Sequence, residues 1–228
     1  KMHPKIFTIH IQDPKVNSKN FDMVVAPLHD NIIGENIFGT KGAIHYITEN
    51  EINQAKSYLY NKIDGNKIVT LILGGPNKYY NFSEVQLKTI FKDIKNNFTS
   101  RGYKAIIIPS MRTPKSIINL AIKEFNEDGF VVSSVDKQAY LSSLSLASFI
   151  VVTSDSTSMI SEVAISGKPI FVAHMKPKKN NYRFRKFYKL FNELGITRNL
   201  GVKVESWKYN KLNEAERIAS IINSKLYK

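Results

Sequence analysis

The densest set of residues able to do chemistry is SDSTSMISEVAISGKPI, Ser154 to Ile170, directly after the apolar run FIVVT (Phe149 to Thr153). Small hydroxyl residues where a strand ends and a helix begins leave backbone N–H groups unpaired beside the positive end of the helix dipole, which suits a phosphate. The hydroxyls of Ser156, Thr157 and Ser158 can add donors, and Asp155 belongs to the same candidate set. Glu162 lies one turn further on, where a carboxylate can accept from two neighbouring hydroxyls such as those of a ribose. Plain capping explains the same pattern, with Asp155 or Ser156 as N-cap and Glu162 on a surface turn. Spacing alone leaves both readings open.

Other candidates follow other strands. Gly74-Gly75-Pro76-Asn77-Lys78 ends the run KIVTLIL, where glycine lets the backbone approach a ligand closely and Lys78 can neutralise a phosphate; a simple turn fits as well. The segment is neither a GxGxxG fingerprint nor a P-loop, which disfavours a dinucleotide enzyme or an NTPase. Ser110, Arg112 and Thr113 follow KAIIIP, and an arginine there can fork to two phosphate oxygens and stabilise a leaving diphosphate, or lie on the surface. His29-Asp30 follows MVVAP, so an imidazole beside a carboxylate is the candidate catalytic base, although adjacent residues on an extended chain point apart. Gly34, Asn36, Thr40, Gly42 and His45 read as a glycine-spaced loop able to touch a sugar or acceptor, and equally as structure. His10 reads as a core histidine. Five histidines without ligand spacing and no cysteine give no metal site, and the missing thiols exclude disulfides and thiol nucleophiles.

Strands and helices must alternate to place these loops at strand ends. Short β-branched runs are expected as strands at Lys67 to Leu73, Lys104 to Pro109, Gly129 to Ser134, Phe149 to Thr153 and Pro169 to Ala173. Between them, helices are expected from Ser83 with Gln86 as a capping box, from Thr113 as N-cap with Pro114 in the first turn, from Gln138 to Ala147, from Thr157 to Ser166 and from Tyr182 to Leu194. Parallel strands need crossover helices, so this pattern predicts an α/β fold, a Rossmann-like doubly wound parallel sheet spanning 66–200. Residues 1–65 carry two further strands, Lys5 to Pro14 and Met23 to Pro27, and a helix from Thr48 and Glu51 through Ile63. They read as part of a second α/β domain, with 201–228 as a strand and helix packing across the two.

The net charge of +14 comes from 33 basic and 19 acidic residues, and only six of the basic ones are arginines. The charge is uneven, since residues 174–228 hold 14 basic and 4 acidic side chains. A basic surface toward the C-terminus is therefore expected, facing either anions or only solvent. Within it, Phe184, Phe187, Tyr188 and Phe191 have core spacing, while Arg183, Arg185, Lys186 and Lys189 can meet membrane phosphates or a polyanion. No apolar run nears the roughly 20 residues of a membrane span, and Lys1 to His10 lacks the apolar core of a signal peptide.

The ordered motifs IHIQDPK (Ile9 to Lys15), FDMVVAPLHD (Phe21 to Asp30), GTKGAIHYIT (Gly39 to Thr48), LILGGPNKYY (Leu71 to Tyr80), SMRTP (Ser110 to Pro114), VVTSDSTSMISEVAISGKPIFV (Val151 to Val172) and FRKFYKLFNELGITR (Phe184 to Arg198) resemble the mitochondrial fission Elm-like family. The resemblance implies a GT-B architecture and, from the bacterial branch, a metal-independent glycosyltransferase-like or nucleoside-diphosphate-sugar enzyme that needs no cofactor. It implies a UDP-type nucleotide sugar as substrate, an unknown acceptor, and no nucleic acid partner. The helix after Asp155 would hold the diphosphate and Glu162 the ribose, with Met159 and the loop carrying Tyr140 beside the base. It also implies a cytoplasmic protein, with peripheral contact on the inner membrane through its basic C-terminal region, and a chain missing the start of its acceptor domain. The eukaryotic branch offers the alternative of a non-catalytic adaptor.

Overall fold

The computed structural model describes residues 6–63, 67–201 and 203–227. The 65/66 domain boundary and the start of the first strand at Lys5 lie outside the described residues. Six parallel strands form the larger sheet: β4 (Ile68–Leu73), β5 (Lys104–Pro109), β6 (Gly129–Val131), β7 (Phe149–Thr153), β8 (Ile170–Ala173) and β9 (Thr197–Asn199), in spatial order β6-β5-β4-β7-β8-β9. This is the doubly wound Rossmann order, with its switch point between β4 and β7. The central strands β4, β5 and β7 are apolar on both faces because both are covered. Ile68, Ile72, Ile106, Ile108, Ile150 and Val152 face one core, and Val69, Leu71, Leu73, Ala105, Ile107 and Val151 face the other. Thr70, a polar residue inside β4, donates its hydroxyl to the Ser143 carbonyl at 3.0 Å.

Helices α3 (Glu84–Asn97) and α4 (Lys115–Glu124) cover the second face through Leu87, Ile90, Phe91, Ile94, Ile117 and Ala121. The first face is covered by α5 (Lys137–Leu146), α6 (Thr157–Val163) with a 3-10 turn after it, and α7 (Tyr182–Glu193), whose Phe187 and Phe191 are buried. A smaller parallel sheet joins β1 (Ile9–Ile11), β2 (Met23–Pro27) and β3 (Ile37–Thr40). The last helix, α8 (Glu214–Leu226), packs Ile218, Ile221 and Ile222 on its Met23 and Val25 face.

Several local expectations are corrected. The helix expected from Thr48 to Ile63 is two short ones, α1 (Glu49–Gln54) and α2 (Ser57–Tyr60), although the Thr48 and Glu51 capping box is present. Ile47, Ile52, Ala55 and Leu59 join the core of the larger sheet, so the chain has left the smaller sheet well before residue 65. Ser83 has the extended backbone of an N-cap but makes no side-chain cap bond, and Gln86 Oε1 is buried without a partner, so the expected capping box is not formed. Pro114, not Thr113, is the N-cap of α4, because the Thr113 hydroxyl is turned back onto the carbonyls of Leu73 and Gly74. Ile37–Thr40, read within a loop, is a strand, and the segment 203–213 holds no strand.

Candidate functional site

At the switch point, the loop after β4 is tied to the end of β7 by its own polar groups. Gly74 N–H donates to Thr153 Oγ1 at 2.8 Å and Gly75 N–H to Asp155 Oδ2 at 2.9 Å. The Thr153 hydroxyl donates to Asp155 Oδ1 at 2.7 Å. Arg112 closes the knot, with Nη2 2.9 Å from Asp155 Oδ2 and Nη1 2.8 Å from the Gly75 carbonyl. Asn77 donates to the Asp155 carbonyl and accepts from the backbone of Tyr79 and Tyr80. Both glycines are required by close approach: a Cβ on Gly74 would lie 2.1 Å from Asp155 Oδ2, and one on Gly75 would lie 2.0 Å from the Arg112 carbonyl oxygen. The Asp155 side chain is 0% exposed, and burial pushes its pKa up while the three donors pull against that shift. Gly75, Asn77, Arg112 and Asp155, expected as phosphate ligands, are hydrogen-bonded to one another, and Gly74 is bonded to Thr153 and Thr113, so together they hold the loop, with the Arg112 side chain 40% exposed. Lys78 lies over the Tyr79 ring, 5.0 Å from its centre.

Two cavities open on the other side of this knot. One, of about 320 Å³, is walled by Ile72, Ile108, Ser110, Met111, Tyr140 and Met159 among others, and it reaches Glu162. The second, of about 460 Å³, lies between the ends of β1 and β2 and the start of α6; His29, Asp30, His45, Thr157, Ser158 and Arg183 line it, and it too reaches Glu162. Glu162 and Tyr46 are common to both linings. Ser156 caps α6, accepting from Met159 N–H at 3.4 Å. The strand-end loop of β7 therefore places Thr157 and Ser158 toward the larger cavity, while the next turn presents Glu162 to both.

Glu162 has one protein partner among the described residues, the Tyr140 hydroxyl at 3.1 Å. Burial raises its pKa above the ordinary carboxylate value, with the Tyr140 hydrogen bond acting the other way. Burial and the neighbouring Glu162 carboxylate push the Tyr140 pKa up, so its phenol stays protonated. In the larger cavity the His29 side chain is 9% exposed, its Nδ1 is buried without a partner, and its ring meets Phe187 edge-on at 5.5 Å. A 3-10 turn, Leu28–Asp30, brings His29 Nε2 to 3.6 Å from Asp30 Oδ1, beyond hydrogen-bond length. Asp30 is instead held by Arg183, with Nε at 2.8 Å. Burial lowers the pKa of both His29 and His45. The cavity therefore presents neutral imidazoles near neutral pH, each able to accept a proton. Among the described residues no three His, Asp or Glu side chains are gathered as a metal ion would need.

Arg183, read only as part of a basic surface, and Tyr46 and Lys15, not singled out at all, are among the lining residues the sequence pattern did not reveal. Arg183 begins α7 and reaches back to the end of β2, a contact no local pattern encodes.

The family model described as Mitochondrial fission ELM1 matches residues 1–226. The chain belongs to the mitochondrial fission ELM1 family. Two ELM1-like relatives align along 97% of it: the mitochondrial fission protein ELM1 of Arabidopsis thaliana, 24% identical with 58% of its length covered, and an uncharacterized protein of Rickettsia prowazekii (strain Madrid E), 25% identical with 73% covered. Among solved structures, the UDP-GlcNAc 2-epimerase of Neisseria meningitidis bound to UDP-GlcNAc has a TM-score of 0.52 at 15% identity, over 93% of this chain and 57% of that one. The fold of this ELM1-family chain is therefore of the GT-B, Rossmann-like type. The chain spans a little over half the length of the Arabidopsis relative and of the epimerase. No helix among the described residues is long and apolar enough to cross a membrane.

Proposed function

We propose that the two cavities form one site for a nucleoside diphosphate sugar of UDP type, from which the sugar is transferred to an acceptor. The single observation that carries this reading is Glu162: a half-buried carboxylate with one hydroxyl partner among the described residues, standing where an apolar cavity meets a polar one. The smaller cavity suits a nucleobase, with Ile72, Ile108, Tyr140 and Met159 offering apolar and aromatic contact. Glu162 then accepts from the ribose hydroxyls, and the diphosphate passes Thr157 and Ser158 into the larger cavity, with Arg183 and Lys15 as countercharges. The sugar lies beside His29 and Asp30. Neutral His29 takes a proton from the acceptor hydroxyl as that oxygen bonds to the sugar's anomeric carbon, and the bond from that carbon to the diphosphate breaks, releasing the nucleoside diphosphate. Support for the nucleotide sugar comes also from the epimerase of the same fold, which is described bound to UDP-GlcNAc.

Calorimetric titration with UDP, GDP and UDP-GlcNAc tests the donor site. UDP and UDP-GlcNAc are expected to bind, and Glu162→Ala is expected to weaken them by roughly 10- to 100-fold, the value of hydrogen bonds to a charged group. No binding by any of the three, or binding unchanged in Glu162→Ala, overturns the reading.

A further inference from the structure

The cations lining the larger cavity are already answered by carboxylates. Arg183 is paired with Asp30, with Nε 2.8 Å from Oδ1, and Lys15 is paired with Asp13. These four charges cancel, and Glu162 adds a carboxylate where the two cavities meet. Arg183 and Lys15 can orient the oxygens of a diphosphate, yet its own negative charge would enter beside Asp13 and Asp30 with no net positive charge to meet it, which is costly in a partly buried site. The lining groups able to become positive as an anion arrives are the imidazoles of His29 and His45.

The two imidazoles are not equivalent. A proton on His29 would answer Asp30, whose Oδ1 is 3.6 Å from Nε2. His45 has no carboxylate within ion-pair distance among the described residues, and it is held by the segment that lies along α6. Ala43 N–H donates to Ser161 Oγ at 3.0 Å, a Cβ on Gly42 would come within 2.8 Å of the same oxygen, and Ile47 is buried in the core of the larger sheet. The chain is thus pinned on both sides of His45, which lines the cavity together with Thr157 and Ser158 from the first turn of that helix. Its Nδ1 is buried without a partner, whereas the His174 ring is fixed by Asn199 Oδ1 at 2.8 Å. Burial keeps the proton off His45, while hydrogen bonding by the backbone of Ile47 and Ser161 favours it. An imidazole balanced in this way is neutral in the empty cavity and charges when a phosphate comes close.

We propose that His45 is the anion-holding residue of the larger cavity, taking a proton from solvent as a diphosphate enters and donating to it beside the hydroxyls of Thr157 and Ser158. The inference rests on the donor-site reading and deepens it: the nucleotide sugar binds with uptake of a proton, which returns to solvent when the nucleoside diphosphate leaves. His29 stays free for the acceptor hydroxyl. The other charged groups facing this cavity are Asp13 and Lys15 beyond β1, Asp30 beyond β2, Glu162 of α6 and Arg183 of α7. Glu162 and His29 titrate as well, so the proton has to be followed at His45 itself.

Nuclear magnetic resonance of the histidine Cε1 carbons in the full chain does this, with pH varied from about 5 to about 8.5 without ligand, with sodium sulfate against chloride at matched ionic strength, and with UDP-GlcNAc. Sulfate and the diphosphate diester keep their charge throughout, so a change of protonation belongs to the protein. The chain has five histidines, so His45→Gln identifies the resonance, and single variants of the other four identify it by elimination if His45→Gln does not fold. The His45 midpoint is expected below 6.5 without ligand and about one to three pH units higher with either anion. UDP-GlcNAc affinity should then fall by roughly tenfold as pH rises between the two midpoints, and His45→Gln should remove that dependence. A UDP-GlcNAc complex in which His45 keeps its ligand-free midpoint overturns the inference and leaves the donor site standing. A midpoint raised by sulfate in a chain that does not bind UDP-GlcNAc supports the anion role and overturns the donor site. Unmoved midpoints with both ligands overturn the inference.

Discussion

Asp155 and Glu162 are carboxylates on one strand-to-helix segment, the first buried and the second half-buried, and they differ in what their oxygens meet. Asp155 accepts from Gly75 N–H, the Thr153 hydroxyl and Arg112, so no acceptor capacity points outward. Glu162 meets one tyrosine hydroxyl and two cavities. Burial raises the pKa of both, so burial and titration do not distinguish them. The lesson is that a polar group with its partners complete holds structure, whereas one with unfilled acceptor positions at a cavity wall is where a ligand is recognised.

The sharpest way to break this contrast is Asp155→Ala. It leaves Gly75 N–H unpaired and removes the charge facing Arg112, and it should cost about 2–4 kcal/mol, at the lower part of the buried-pair range because Arg112 is partly exposed. Urea unfolding reads this directly, and a cost below that of an ordinary surface substitution would remove Asp155 from its structural role. Gly74→Ala should cost roughly 1–3 kcal/mol, since its Cβ would press on the same carboxylate.

Tyr140→Phe sharpens the other half. It removes the one hydroxyl on Glu162 and should lower stability by about 1 kcal/mol, while UDP affinity shifts only a few-fold. An affinity loss as large as that of Glu162→Ala would mean that the tyrosine, not the carboxylate, holds the ligand.

Two pH effects complete the series. The folded pKa of Glu162 is raised, so the folded state holds its proton longer than the unfolded chain, and stability falls as pH rises above the ordinary value of 4.5. Glu162→Gln has no such proton, so its stability relative to the parent should increase across that window in unfolding measured at several pH values. The folded pKa of His29 is lowered, so the unfolded chain takes up its proton first and stability falls as pH drops below 6.5. His29→Gln should flatten that slope, and this is the smallest effect expected.

The apolar runs from Ile68 to Ala173 and the breaks between them were legible because buried parallel strands have a local signature, and the Ser154 to Glu162 segment was legible because helix starts do. Strand β3 was hidden by its glycine and threonine, and β9, TRN, by its polarity; both are strands because a neighbouring edge pairs with them. The Ser83 and Gln86 spacing promised a capping box whose side-chain bonds are not made, because spacing does not fix where the two side chains turn.

By itself the sequence determined the class of the larger sheet, the strand ends at which polar loops gather, and the excess of cations near the C-terminus, all of which depend on residue type and local period. The tertiary structure alone decided which polar residues are engaged with one another and which face open space. Arg112 and Asp155 are far apart in the chain and close a knot, while Glu162, with one hydroxyl partner among the described residues, borders a cleft. Hydrogen-bond partners drawn from distant segments complete one set and leave the other open, and no local pattern encodes that difference.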